Sequence, residues 1–430
     1  MARIKAFNPF IYRQHHASDL SELIAPPYDV IKPEALQDLR NTHPHNITYL
    51  TLPEGDGDER YQTAGTLLRQ WIEEGVLIQR EAPALYPYSQ TFIHPDTGDE
   101  ITRIGIISLL QLEPFDKGIV LPHERTLKGP REDRLRLMEE TEANLESIFG
   151  MFPDPEQTGL ETLRSFVSQV EPMMEVADES GTVHRVWEVT DIDFIGRLSE
   201  QIDQVPVYIV DGHHRYVTAL NYRDQWRAAN PDVAEADLPV DHIMIYLTPM
   251  SDPGLVILPT HRYVHSLGNF NVQHLFEKLS THFDLASVES FEEGFTLLAK
   301  SDKTAFLFGT TDRSMLAELK PGVSPADLVG NNIPPAVAEL DVTILHSYIF
   351  DQLLGITVEA QELQKNLGYA KSQIDALKAL EDEKTELVVG LNPTRFSQVE
   401  RVANSSDVMP QKSTYFYPKL ASGLTLNLLR

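Results

Sequence analysis

The sequence predicts a mixed α/β protein built from two or three domains. Short apolar runs rich in β-branched and aromatic residues read as strands, as at Pro206 to Val210 and in TELVVGL near the C-terminus. Between them lie stretches whose apolar residues recur three and four positions apart, the signature of amphipathic helices. A length of 430 residues, 42% hydrophobic and 23% charged, is enough for a large core shared among domains.

Residues 1–110 are expected to form an N-terminal α/β region. LIAPPYDVI places Pro26 and Pro27 before Tyr28 and Asp29, which predicts a rigid extended or turn segment. Asp29 would then either cap the helix that starts near Pro33 or stand as a fixed polar group at the edge of a site. Thr48, Leu50 and Leu52 alternate with Tyr49 and Thr51 and predict a strand, while Leu67, Leu68, Trp71 and Ile72 mark one face of a helix. EGDGDE lacks the spaced ligands and closing glutamate of a calcium loop and reads as a solvated turn. A β-hairpin is expected around Pro95 to Gly98.

Residues 111–255 carry the chemistry. After a strand ending near Val120, His123, Glu124, Arg125, Thr126 and Lys128 crowd a loop before a helix expected from about Arg131. That helix is expected to run through Leu135, Met138, Glu142 and Leu145. The most informative stretch is VPVYIVDGHHRYVTAL, residues 205–220. It reads as a buried strand, a sharp turn and a helix, with Asp211 suited to the N-cap and Tyr216, Ala219, Leu220, Tyr222 and Trp226 at helical spacing. Such a turn aims backbone N–H groups and the positive end of a helix dipole at whatever lies above it. Gly212 permits close approach of a ligand, Arg215 offers a planar fork for phosphate oxygens, and His213 and His214 add donors or acceptors. A solvated cap with a surface ion pair would use the same residue types. Adjacent helical histidines point about 100° apart, which disfavours a zinc site formed by this pair. VDHIMIYLTPMSDPGLVILPTHRYVH predicts two strands joined by a turn at Ser251 to Gly254, with His261 and Arg262 closing the second.

Residues 256–430 are expected to form a C-terminal α/β region. DVTILHSYIFDQLLGI reads as a helix ended by Gly355. Near the end, Lys412, Ser413 and Thr414 stand between Pro410 and an aromatic run. One ammonium beside two hydroxyls is a set of donors suited to phosphate, without the glycines of a Walker loop.

Composition excludes several functions. Lys and Arg number 36 and Asp and Glu 64, a net charge of −28. With no Lys/Arg block, so acidic a chain is expected to have no nucleic-acid partner. The absence of cysteine excludes disulfides, thiolate metal sites and thiol nucleophiles. No apolar run reaches membrane-span length and MARIKAFNPF lacks a signal-peptide core, so a cytoplasmic protein without a membrane partner is expected. Oligomeric state is left open.

Several strings resemble known families. VDGHHRYVTAL is similar to the helix-opening motif of the ParB/sulfiredoxin superfamily, and its Asp-Gly-His-His-Arg resembles more closely the free-serine kinases of that superfamily. Pro122-His123-Glu124 resembles the segment that bears the catalytic glutamate of those kinases. Lys412-Ser413-Thr414 resembles their late Lys-Thr-Thr, although Tyr415 and Phe416 replace the Arg-His that follows it there. LIAPPYDVI, HERT…DRL and MPQKSTYFYPK resemble the DUF1015 family over nearly the whole chain.

The resemblance implies a ParB/sulfiredoxin-like nucleotide-binding core at 111–255, flanked by the N- and C-terminal α/β regions. It implies a free L-serine kinase that uses ATP or ADP to make O-phospho-L-serine. Glu124, as general base, and His214 would be catalytic. Asp211, Gly212, His213, His214, Arg215, Lys412, Ser413 and Thr414 would hold nucleotide and phosphate, and Asp29, His123 and Arg125 are candidates for substrate contact. Mg²⁺ is expected as a phosphate partner, its ligands unknown, with Asp211 a candidate. Sulfiredoxin chemistry needs a thiol and is excluded. The alternatives are a ParB-type nucleotide hydrolase or switch, and a non-enzymatic nucleotide sensor.

Overall fold

The computed structural model describes residues 1–430 apart from 14–15, 17–18, 125–127, 234–236 and 331, and apart from the side chains of 128–130. It is a mixed α/β fold with two large sheets. Among the described residues the larger has nine strands: β1 (Ile4–Lys5), β2 (Tyr86–Ile93), β3 (Glu100–Gln111), β4 (Val120–Pro122), β5 (Ile148–Phe152), β6 (Met174–Ala177), β7 (Val183–Val186), β8 (Val207–Asp211) and β9 (His242–Pro249). They lie in the order β4-β8-β5-β9-β3-β2-β7-β6, with β1 against β3. The pairs β4–β8 and β5–β9 are parallel and the other neighbours antiparallel. The expected hairpin at Pro95 to Gly98 joins β2 to β3.

This sheet is covered on both faces. In β8, Tyr208 and Val210 pack into one apolar cluster while Val207 and Ile209 pack into another. A strand buried on both sides must be apolar at every position, which is why VPVYIV shows no polar alternation. The larger sheet draws strands from both sides of residue 110. Helix α3 (His213–Ala229) starts at the end of β8, and α2 (Lys128–Thr141) packs against both α3 and α1 (Glu59–Glu73).

The second sheet has six strands among the described residues, β10 (His261–His265), β11 (Phe283–Val288), β12 (Ala305–Gly309), β13 (Ser314–Leu319), β14 (Leu367–Ala370) and β15 (Thr385–Leu391). It is antiparallel throughout, in the order β11-β13-β12-β15-β10-β14, with apolar clusters of its own. The C-terminal segment then makes two short antiparallel pairings outside both large sheets. Tyr415–Tyr417 pairs with Val256–Leu258, and Asn427–Leu428 pairs with Ala143–Asn144. Among the described residues no helix is long and apolar enough to cross a membrane.

Three local expectations are corrected. Thr48–Thr51 is a helical turn rather than a strand. The Asn46 side chain accepts from the Thr48 N–H at 3.0 Å and from its hydroxyl at 2.7 Å, so a local Asx turn outcompetes the alternating pattern. The helix through Leu135 ends at Thr141, because Glu142 adopts φ 48°, and Leu145 lies beyond it. The second strand after β9 is only Val256–Leu258, and His261 and Arg262 open β10 instead of closing that strand.

Candidate functional site

The end of β8 and the start of α3 make the turn that the sequence singled out. Gly212, not Asp211, occupies the N-cap position, with φ 83°. A Cβ there would meet Ile148 at 2.9 Å and Arg215 at 3.0 Å, so both conformation and space demand glycine. Asp211 is turned instead toward two cations. Its Oδ2 accepts from Arg215 Nη2 at 3.0 Å and its Oδ1 accepts from Lys419 Nζ. Burial raises the pKa of this carboxyl, but Lys419 and Arg215 outweigh burial and hold it well below the usual carboxylate range. Full charges on two neighbours attract the carboxylate more strongly than neutral amide groups would, which explains why it does not cap.

Arg215 braces the turn from beneath. Its Nη1 donates to the Ser147 carbonyl at 2.8 Å and lies 3.8 Å from Glu146 Oε2. Glu146 in turn accepts from the Tyr28 N–H and the Ser422 hydroxyl, which ties the N-terminal segment and the C-terminal tail to the same place.

Two buried histidines pack beside the turn. His123 Nδ1 faces the Ile209 carbonyl at 2.7 Å and so carries the proton, which leaves Nε2 to accept from the Thr414 hydroxyl at 2.8 Å. The His123 N–H donates to His213 Nε2 at 3.3 Å. Burial is the main cause that lowers the pKa of both rings, opposed at His123 by Glu124 and reinforced at His213 by His123. Both rings are neutral near pH 7. The Met409 N–H donates to the His123 carbonyl at 2.8 Å, so the C-terminal segment is laid directly beside Glu124.

Above the turn is a cavity of about 290 Å³. Glu124, Asp29, His214, Lys371, Lys412 and Lys419 are among its lining residues. Lys371 and Lys419 stand 4.7 and 5.0 Å from the centre of the Tyr415 ring. Burial lowers the pKa of Lys371, and the neighbouring Lys412 and Lys419 lower it further. Burial also opposes the charge on Lys419, but Asp211 and Asp29 reverse the shift and raise it. A cation depressed by its neighbours is one that an incoming anion would relieve. Behind the cavity, Arg262 donates to the Lys412 carbonyl at 2.8 Å and to that of Thr260. Burial pushes its pKa down to about 10.

The cavity gathers nine residues expected from the sequence: Asp29, Glu124, Asp211, Gly212, His213, His214, Arg215, Lys412 and Thr414. His123 lies behind its wall. Asp29 does not cap the following helix, whose N-cap is Lys32. Ser413 is the exception. Its hydroxyl donates to the Pro410 carbonyl at 2.6 Å and it lines a separate small pocket with Arg262. Lys412 at φ 58° turns the chain so that neighbouring side chains diverge. Arg125 lies outside the described residues. Sequence reasoning missed Lys371, Lys419, Tyr28 and Tyr415 as lining groups. Lys419 sits inside MPQKSTYFYPK and Lys371 follows β14, and neither has a local pattern that announces a site.

Magnesium finds no group of three carboxylates among the described residues. Both oxygens of Asp211 are taken by cations, so the candidate ligand does not fit. Asp29 and Glu124 are the remaining carboxylates of the cavity, a set that suits an ion held chiefly by phosphates.

Residues 4–343 match the family model described as protein of unknown function DUF1015. No curated protein matches the sequence. Among solved structures, a free serine kinase in complex with AMP is similar at TM-score 0.36 and 11% identity, over 72% of this chain and 86% of that one. A conserved hypothetical protein from Pyrococcus furiosus is similar at TM-score 0.35 and 13% identity, over 75% and 95%. SbnI from Staphylococcus aureus, with a C-terminal truncation, is similar at TM-score 0.35 and 11% identity, over 75% and 87%.

Proposed function

The chain belongs to the DUF1015 family over residues 4–343, and from its cavity we propose that it is a free L-serine kinase that takes a phosphoryl group from ATP or ADP. One observation carries this reading. A carboxylate, Glu124, faces the same cavity as three lysines and the N-terminus of α3, in a chain whose net charge is −28. An acidic protein that concentrates cations at one place is built to hold an anion there.

The chemistry follows from the parts. Lys371, Lys412 and Lys419 would neutralise phosphate oxygens, and the first N–H groups of α3 would donate to them. The serine hydroxyl would lie between Glu124 and the transferred phosphorus. Glu124 accepts its proton as the hydroxyl oxygen bonds to phosphorus, the bond from phosphorus to the bridging oxygen breaks, and the shortened nucleotide leaves with that oxygen and its charge. Neutral His214, its pKa lowered chiefly by burial, would donate a hydrogen bond to the transferring group. Mg²⁺ carried on the nucleotide phosphates, with Asp29 at its edge, would supply further charge neutralisation. Asp211 acts differently, fixing Lys419 and Arg215 so that the cationic wall needs no rearrangement on binding.

The test is a transfer assay with purified protein, Mg²⁺, ATP or ADP, and a panel of hydroxyl amino acids, read by phosphorus NMR. Serine-dependent appearance of a phosphomonoester is expected. Nucleotide consumption that ignores every acceptor would replace this reading with a hydrolase. Binding without consumption would replace it with a sensor.

A further inference from the structure

Outside the cavity, one cluster of side chains has no part in the proposed reaction. His16, His43 and His45 each offer a ring nitrogen, and these three nitrogens lie within 4.8 Å of one another. We propose that this trio binds a divalent late transition metal ion, zinc foremost, and that the ion clasps His16 to the turn at residues 43–45.

Three lines of geometry support the site. First, one pair of the trio is close to coordination distance, and all three nitrogens lie within 4.8 Å of one another. His16 Nε2 and His45 Nδ1 are 2.8 Å apart. Zn–N bonds of about 2.0–2.1 Å in a tetrahedron place ligand nitrogens about 3.3 Å from each other, so this pair need open by only about half an ångström. Second, both sides are anchored before any metal enters. The His16 N–H donates to the Arg13 carbonyl at 3.0 Å, and the Arg13 N–H donates to the Val76 carbonyl at 2.9 Å. The His45 carbonyl accepts from the Tyr12 hydroxyl at 2.8 Å, and its ring stands edge-on to Trp71 of α1 at 5.2 Å. Pro44 limits the backbone between His43 and His45. Third, the donor set is selective. Three imidazoles and no thiolate suit Zn²⁺, Ni²⁺, Co²⁺ or Cu²⁺, and are poor ligands for Mg²⁺ or Ca²⁺.

The protonation state agrees with the geometry. Burial, and then the neighbouring rings, lower the pKa of His16 and His45, with Arg13 also acting on His16. Glu74 is the carboxylate that opposes this at His45. Neutral imidazole is the ligating form, and the proton shared between His16 Nε2 and His45 Nδ1 would move to the far nitrogen of its own ring as the ion enters. Three protein ligands leave a fourth position for water. The site is independent of the kinase reading, since none of its residues lines the cavity.

The experiment uses full-length, chelator-treated protein. Co²⁺ is titrated while tryptophan fluorescence is followed, and Zn²⁺ affinity is measured by calorimetry. Saturable quenching at one equivalent is expected, because the ion would sit beside Trp71, with Trp187 and Trp226 elsewhere in the chain. His16→Ala and His43→Ala should each weaken Zn²⁺ by on the order of 100-fold or more, beyond the loss seen on removing outer partners. Zinc should also raise the melting temperature of the wild type and not that of His43→Gln, a milder variant that guards against misfolding. Unchanged zinc affinity in folded His16→Ala, or an absence of saturable quenching, would overturn the proposal.

Discussion

Asp211→Asn isolates the electrostatic core of the cavity. The side chains of Arg215, Lys419 and Asp211 are only 10%, 14% and 16% exposed, so water screens their interactions poorly. Removing one member of a buried ion pair costs about 3–5 kcal/mol, because the partner charge is left unmatched. Here Arg215 keeps Glu146 at 3.8 Å and the Ser147 carbonyl, which places the expected loss near the lower bound, about 3 kcal/mol. That corresponds to an opening equilibrium on the order of 100-fold larger. Denaturant unfolding gives the global change, and hydrogen–deuterium exchange over residues 205–220 localises it. The pH dependence has a definite sign. The folded carboxyl is depressed below its unfolded value of about 3.9, so its contribution is complete above that value and is lost as pH falls through the folded one. The gap between wild type and variant should therefore be flat from pH 8 to about pH 5 and shrink only below about pH 4. A gap under about 1 kcal/mol at pH 7, or one that fades between pH 7 and 5, would refute the argument.

Other substitutions separate the roles of the lining groups. Glu124→Gln should lower phosphotransfer by on the order of 100-fold or more and leave the nucleotide Kd unchanged, as rapid quench and calorimetry would record. Lys371→Met removes a cation that burial and its neighbours already disfavour. The unliganded protein should melt no lower than wild type, while ADP binding weakens about tenfold, the loss of one charge-assisted contact. Ser413→Ala should leave kcat and KM within about twofold, since its hydroxyl serves the Pro410 carbonyl, and cost about 1 kcal/mol of stability.

Much of the fold was legible where a segment's own pattern decides its structure. The strand, glycine turn and helix at 207–229 follow from an apolar run, a residue that tolerates φ 83° and a helical period. Legibility failed where distant contacts decide. Asp211 looks like a helix cap until Lys419, 208 positions away, is brought against it. Lys371 enters the cavity because β14 pairs with β10, a register that nothing near residue 371 encodes. Ser413 was misplaced for a conformational reason, since a tripeptide of donors says nothing of φ, and Lys412 at 58° sends the Ser413 hydroxyl away from its neighbours. The histidine trio was invisible for the same cause as Lys419: His16 and His45 are 29 positions apart and meet only after the N-terminal segment folds against α1.

The two uses of Asp211 are mutually exclusive, and that bears on how the cavity would handle charge. A divalent ion on its carboxylate would stand beside Lys419, which already holds Oδ1, and Arg215, which already holds Oδ2. Displacing them would strip buried Lys419 of its hydrogen-bonded carboxylate and leave Arg215 with Glu146 at 3.8 Å, in order to gain one ligand, a poor exchange in a low-dielectric site. The carboxylate is better understood as the anchor of the cationic wall, and any metal must arrive with its own anionic ligands. Nucleotide phosphates supply those. The arrangement predicts an order of dependence: nucleotide binding should persist without Mg²⁺, carried by the lysines and the N-terminus of α3, while Mg²⁺ alone should bind weakly at the cavity. Calorimetry of each component separately decides it, and tight Mg²⁺ binding that Asp211→Asn abolishes would show that the carboxylate is a ligand after all.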